Sequence, residues 1–210
     1  MTHRVRQGPK GSPLLLLVHG YGSDENDLFS LIPYLDDRFT AVSVRAPHAY
    51  PPGYGWYDIS FTDRGILRDE AMIEGSGQAL ETFLREAVEK YGADPARVFV
   101  LGFSQGAAMA LQLLLTRPQL LAGAVALSGH VPDVGWDARA SDDALAGKPV
   151  FVGHGVADPV VPIAAGRDAR ARLGSLPVNL TYRERPGMGH TIDGELLAEV
   201  SSWLSARLDA

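Results

Sequence analysis

A serine stands at the corner of "VFVLGFSQGAAMALQLLL", residues 98–115, where an apolar, strand-like run passes through Gly102-Phe103-Ser104-Gln105-Gly106 into an Ala- and Leu-rich, helix-like one. G-x-S-x-G between a strand and a helix has a mechanical meaning. The turn is so sharp that the serine is held in a strained backbone conformation, and the glycines two residues to either side relieve the crowding. The hydroxyl then stands above the sheet edge, while N–H groups at the helix start face the place where negative charge develops. That chemistry is nucleophilic attack on an acyl carbon. The plainer reading is an N-cap serine in a glycine turn.

A nucleophile needs a base and an orienting acid, and at such an elbow the chain order is Ser, Asp or Glu, then His. His3, His19 and His48 precede Ser104, whereas His130 and His154 come after it but early. Only His190, in the Gly-rich loop "PGMGHTIDGE", comes late enough to lie after an acid loop and before a last helix. Two post-strand loops offer the acid: Asp158 after "PVFVGHGVADPVVP" and Asp133 after "GAVALSGHVPD". Asp158 is preferred because Gly153 and Gly155 let the chain turn while Pro159 and Pro162 stiffen the loop beyond it; Asp133 is the runner-up.

The oxyanion donors are expected to be the backbone N–H of Gln105 and a second N–H in "LVHGYGSDEND", where Tyr21 comes after His19-Gly20. His19, in that turn, reads as structural. The acids from Asp24 to Asp27 lack the Gly and closing Glu of a calcium loop, and neither a full G-x-G-x-x-G nor a P-loop is present. No metal or organic cofactor is expected.

Positioning these residues requires a sheet whose loops gather at one edge. Short apolar runs alternate with helix-like segments, which predicts a mostly parallel central sheet with helices on both faces. The predicted strands are Leu14–Val18, Thr40–Val44, Val98–Leu101, Ala122–Leu127, Pro149–Val152 and Val178–Arg183. Several are apolar throughout, as strands covered on both faces must be. Helices are predicted over Asn26–Leu35, Asp69–Tyr91, Gln105–Thr116, Ile163–Leu173 and Gly194–Leu208. In the last, Leu196, Val200, Trp203, Leu204 and Leu208 form one apolar stripe. Residues 46–65 read as a long irregular loop, of the kind that often carries function.

The bulk properties exclude several classes. At 210 residues, 46% hydrophobic and 21% charged, the chain fits a single soluble domain spanning 1–210. With 19 Lys and Arg against 25 Asp and Glu, a net charge of −6 and no basic run argue against a nucleic-acid partner. The absence of cysteine removes disulfides, thiolate metal sites and a Cys nucleophile. The run Leu14–Val18 is too short for a signal peptide, and no stretch is long enough to span a membrane, so a cytoplasmic protein is expected.

Taken together, "LLLLVHGYGSDENDL", "GWYD", "VFVLGFSQGAAMAL", "ALSGHVP", "HGVADPVVP" and "GMGHTI" resemble, in this order, the phospholipase/carboxylesterase group of α/β-hydrolases, the small carboxylesterases and acyl-protein thioesterases. The resemblance implies an α/β-hydrolase fold without a cap domain, Ser104 as nucleophile, Asp158 as acid, His190 as base, and Tyr21 and Gln105 as oxyanion donors. It also makes a homodimer plausible. Where the family commonly has two glycines after the Ser-Gln step, this chain has Gly106-Ala107, which predicts tighter packing under the elbow.

The reaction implied is hydrolysis of small acyl esters through an acyl-enzyme. Trp56, Phe103, Val161 and Met188, with Tyr57 and Pro162, flank the motifs and are candidates for an apolar acyl pocket; each is equally an ordinary core residue. Tyr50, Tyr54, Trp56 and Tyr57 are the nearest thing to a lid. An uncapped chain of this size predicts an open, shallow site and short- to medium-chain acyl esters. Competing readings are a thioesterase acting on acylated protein, a lysophospholipase or a peptidase on the same fold, and a non-catalytic binding protein that retains it.

Overall fold

In the computed structural model, which describes residues 1–63 and 65–209, the parallel strands are almost those expected from the apolar runs. The strands are β1 (His3–Arg6), β2 (Leu14–Val18), β3 (Thr40–Val44), β4 (His48–Tyr50), β5 (Gly53–Gly55), β6 (Ile59–Thr62), β7 (Gly65–Arg68), β8 (Val98–Phe103), β9 (Gly123–Leu127), β10 (Pro149–Gly155) and β11 (Asn179–Arg185). The helices are α1 (Glu70–Tyr91), α2 (Gln105–Thr116), α3 (Asp133–Asp137), α4 (Asp142–Leu145), α5 (Ile163–Gly174) and α6 (Gly194–Ser205).

Seven strands make the main sheet in the order β1-β3-β2-β8-β9-β10-β11, with β1 antiparallel and every other pair parallel. The five residues of β2 are all fully buried because alternate side chains enter two different cores. Leu14, Leu16 and Val18 join Ile73, Leu80 and Leu84 of α1 and the apolar length of α2. Leu15 and Leu17 join Leu196, Val200, Trp203 and Leu204 of α6 on the other face. The predicted stripe of the last helix is therefore its buried face, with Leu208 packed at its edge.

The helix ends are set by their capping residues. Asp69 accepts from the Met72 N–H at 2.9 Å at the start of α1, which stops at Gly92 in the left-handed region, and Asp193 accepts from the Leu196 N–H at 2.7 Å at the start of α6. Among the described residues no helix is long and apolar enough to cross a membrane.

Three expectations are corrected. The helix predicted over Asn26–Leu35 is a 3-10 helix, Leu28–Tyr34, with Pro33 inside it. Proline has no N–H to give to an α-helical ladder, and the turn tightens. The stretch 46–65 is not irregular: it holds β4 and β5, paired antiparallel, and most of a second hairpin, β6 and β7. Finally β1, four residues of which only Val5 is apolar, is not among the expected strands; it is an edge strand and is recognisable only by its partner β3.

Candidate active site

Because β2, β8, β10 and β11 run parallel, their C-terminal ends lie along one edge of the sheet, and the loops leaving them carry Tyr21, Ser104, Asp158 and His190. At the end of β8, Ser104 has φ 56° and ψ −117°, the strained conformation expected of it. Its N–H donates to the Leu127 carbonyl at 2.9 Å, tying the turn to β9. The flanking glycines are required by space. A Cβ on Gly102 would come 2.0 Å from the Gly106 carbonyl oxygen, and one on Gly106 would come 1.8 Å from that of Val18. The Ala107 methyl is fully buried and so near Gly129 that a Cβ there would meet it at 2.5 Å.

Ser104, His190 and Asp158 form one hydrogen-bonded chain. Ser104 Oγ lies 3.0 Å from His190 Nε2, and His190 Nδ1 lies 2.8 Å from Asp158 Oδ2. The other carboxylate oxygen, Oδ1, accepts from the N–H groups of Val160 and Val161, both at 2.9 Å. Burial pushes the Asp158 carboxyl up, but the His190 hydrogen bond and those two N–H groups outweigh it and hold the group below the ordinary carboxylate range. An ionised Asp158 accepts, so His190 Nδ1 carries the proton and Nε2 presents its lone pair to the serine hydroxyl.

The acid loop is held from behind by a residue the sequence did not single out. His154 is fully buried, donates from Nε2 to the Val161 carbonyl at 2.8 Å, and lies 3.7 Å from Asp158 Oδ2. Asp133, the runner-up acid, is 70% exposed and paired with Arg172 at 2.8 Å, outside the chain of hydrogen bonds.

Tyr21 and Gln105 flank the serine. A Cβ on Gly20 would lie 3.2 Å from the Ser104 Cβ, which places the Tyr21 loop against Ser104. Among the described residues neither the Tyr21 nor the Gln105 N–H is engaged in a turn, loop or cap hydrogen bond. Gln105 opens α2, where the unsatisfied N–H groups and the helix dipole favour an anion. His19 is structural, as expected. Its Nδ1–H donates to the Gly20 carbonyl at 2.6 Å and its Nε2 accepts from the Ala46 N–H at 3.0 Å, while burial keeps the ring below its ordinary pKa.

Two of the four pocket candidates are corrected. Trp56 is fully buried: its indole N–H donates to the His19 carbonyl at 2.8 Å and its backbone N–H to Gln105 Oε1 at 2.9 Å. The Gln105 amide completes the clamp by donating to the Tyr57 carbonyl at 2.8 Å, so Trp56 is an anchor under the site. Met188 is 5% exposed and packs with α6, and its carbonyl accepts from the Ala157 N–H at 3.1 Å, joining the acid and histidine loops. Neither lines the cavity, because each points into the protein's core.

Val161 does line it. The cavity beside Ser104 and His190 has a volume of about 290 Å³, with Tyr57 and Val160 in its walls and Ile59, Ile66 and Arg68 of the β6–β7 hairpin along one side. The open, shallow site expected is thus a partly covered one, walled by a hairpin. Phe103 lies instead at a second cavity of about 190 Å³, with Leu28, Leu31 and Ile192, and its ring packs on that of His190 at 4.8 Å. Tyr50 and Tyr54 are anchors as well, Tyr50 against the Tyr21 ring and Tyr54 under the Arg45 guanidinium.

Sequence reasoning missed Ile59, Ile66, Arg68, His130 and Val160. Val160 and His130 lay within the quoted motifs, and the alternation in "DISFT" was the available signal for the hairpin. Among the described residues no group of three or more His, Asp or Glu side chains converges as a metal site requires.

A serine on a strained strand-to-helix turn, bonded to a late-loop histidine at the C-terminal edge of a parallel sheet, defines an α/β-hydrolase. The phospholipase/carboxylesterase family model matches residues 5–208, and the chain belongs to that family. It is 29% identical over 212 residues to acyl-protein thioesterase 1 of Saccharomyces cerevisiae, covering 93% of each chain, and 31% identical over 209 residues to a probable carboxylesterase of rice, covering 92% and 88%. The carboxylesterase of Bacillus cereus superposes with a TM-score of 0.85 at 27% identity, over 99% of this chain and 94% of its own. Esterase PE8 superposes at 0.82 with 30% identity, over 97% and 99%. The protein is an ester hydrolase.

Proposed function

We propose that the protein is a serine carboxylesterase that hydrolyses short- to medium-chain acyl esters through an acyl-enzyme on Ser104. The observation that carries this is the continuous chain from Ser104 through His190 to Asp158, opening into a cavity beside the strained turn. His190 Nε2 takes the hydroxyl proton as Ser104 Oγ attacks the ester carbonyl, and Asp158 stabilises the imidazolium that forms. The N–H groups of Tyr21 and Gln105 receive the oxyanion. The C–O bond then breaks, His190 returns the proton to the leaving alcohol, and water repeats the attack on the acyl-serine.

A cavity of about 290 Å³ is at the small end of ligand sites, which favours acyl chains of modest length. A methyl ester series of increasing acyl length tests this: kcat/KM is expected to peak and then fall, and a steady rise toward long chains overturns it. Ser104→Ala is expected to lower kcat by several orders of magnitude in a folded protein and to abolish labelling by a fluorophosphonate. Near-normal turnover in that variant would falsify the mechanism.

The second reading is thioester hydrolysis on acylated proteins, favoured by the similarity to the yeast acyl-protein thioesterase over nearly the whole of both chains. Comparing kcat/KM for matched oxygen and thiol esters decides between them. The same proposal has the chain act as one domain in the cytoplasm, without a metal or organic cofactor, and as a homodimer; sedimentation of the purified protein tests the last.

A further inference from the structure

The cavity beside Ser104 has a charged wall that hydrolysis of a plain aliphatic ester does not use. In the β6–β7 hairpin, Ile59 pairs with Arg68 and residue 61 with Ile66, so residues 59, 66 and 68 share the face that meets the cavity. Leu67, on the opposite face, is 59% exposed. Of the hairpin residues that line the cavity, two are isoleucines and one is an arginine.

His130 also lines this cavity, and its Nε2 is buried with no hydrogen-bond partner among the described residues. Burial, and next the positive charge of Arg68, push the ring down to about 3, so His130 is a neutral imidazole whose surroundings include the Arg68 cation. The same cation acts on Tyr57. The carboxylates adjacent to Arg68 in sequence and register have other partners. Asp58 accepts from the Tyr50 hydroxyl, Asp69 from the Met72 N–H and Glu70 from the Val134 N–H.

We propose that this cavity takes acyl groups ending in a carboxylate, with the chain lying over Ile59 and Ile66 and the terminal anion meeting the Arg68 guanidinium and the His130 imidazole. The proposal rests on Ser104 being the acylated nucleophile. The substrate class is then the monoester of a short dicarboxylic acid. Ser104 Oγ forms a bond to the ester carbonyl carbon, the bond to the alcohol oxygen breaks, and His190 passes the serine proton to that alcohol. Water then takes the serine's place and releases the dicarboxylate.

The anion belongs on the acyl side for a geometric reason. The cavity bearing Arg68 also borders Ser104, Gln105 and Tyr21, where the acyl carbon is held. The leaving alcohol must meet His190, which borders the second cavity too, and the charged residue there is Asp27, whose sign repels an anion. A guanidinium matches a carboxylate with two parallel N–H donors, which a plain alkyl end cannot engage.

The test compares monomethyl glutarate and monomethyl adipate with methyl esters of the matched aliphatic acids, monitored by proton release. The wild-type protein is expected to favour the dicarboxylate monoesters in kcat/KM, and Arg68→Gln to reduce that ratio about 10- to 100-fold, mainly through KM. Arg68→Lys is expected to keep part of the preference and His130→Phe to lose part of it. A wild-type preference for the aliphatic esters, or a ratio unmoved in Arg68→Gln, overturns the proposal. An Arg68-dependent preference for 4-acetoxybutyrate, whose carboxylate is on the alcohol, overturns the acyl-side assignment. Fluorophosphonate labelling of Ser104 is run alongside: labelling with no dicarboxylate preference refutes only this inference, whereas no labelling and no ester turnover refute the acyl-enzyme reading itself.

Discussion

The Gln105 side chain is the most informative place to perturb the site without removing a reacting group, because the role proposed for Gln105 belongs to its backbone N–H. Its amide accepts from the Trp56 N–H at 2.9 Å and donates to the Tyr57 carbonyl at 2.8 Å, and the residue is only 3% exposed. Gln105→Ala leaves both backbone groups buried and unpaired, and each such loss costs about 1–3 kcal/mol. The emptied side-chain volume adds about 1 kcal/mol, so the total is about 3–7 kcal/mol. For a chain of this size that corresponds to a fall in Tm of roughly 6–28 °C. Thermal unfolding by circular dichroism measures it, and amide hydrogen exchange is expected to accelerate at Trp56. Turnover of a short methyl ester at low temperature is expected to fall much less than in Ser104→Ala. A Tm within about 3 °C of wild type would refute the claim that this amide clamps the aromatic segment to the nucleophile turn.

Asp158→Asn is expected to lower kcat by about 10⁴-fold while the fold persists, because a neutral amide no longer fixes the His190 tautomer; steady-state kinetics check it. Asp158 is held below its ordinary range, so its contribution to stability is complete above the unfolded carboxylate pKa and is lost as pH falls through the lower folded value. Urea midpoints are therefore expected to fall less on acidification in Asp158→Asn than in wild type. His130 works in the same direction, over a higher pH window. With its folded pKa down to about 3, the unfolded chain binds the proton first, so its penalty grows as pH drops below 6.5, and His130→Phe is expected to flatten that part of the profile. Gly106→Ala places a Cβ 1.8 Å from the Val18 carbonyl oxygen and is expected to cost at least about 3 kcal/mol, read as a loss of soluble yield or a lower urea midpoint.

The parallel strands were legible because a strand covered on both faces must be apolar at nearly every position, and Leu14–Val18 and Gly123–Leu127 are. The last helix was legible because its stripe of Leu196, Val200, Trp203 and Leu204 has the helical period. The β6–β7 hairpin was not. Its strands are four residues each, so the alternation in "DISFT" is too short to mark a strand until its pairing with β7 is known. Trp56 misled for a related reason: an aromatic residue beside a motif reads alike whether it lines a cavity or anchors its floor, and only the partners of its indole and backbone decide.

By itself, the sequence determined the strained serine turn, the order of the three residues that meet there, and the layered sheet that carries them. These are local or order-dependent properties: glycine spacing, apolar period and position along the chain. Tertiary structure alone decided which face of the hairpin meets the cavity, that Trp56 and Met188 are turned away from it, and that Arg68 and His130 share it with Ser104. Residues 59, 68, 104 and 130 meet only once separate loops are folded over one sheet edge, and no local pattern encodes contacts between segments so distant in the chain.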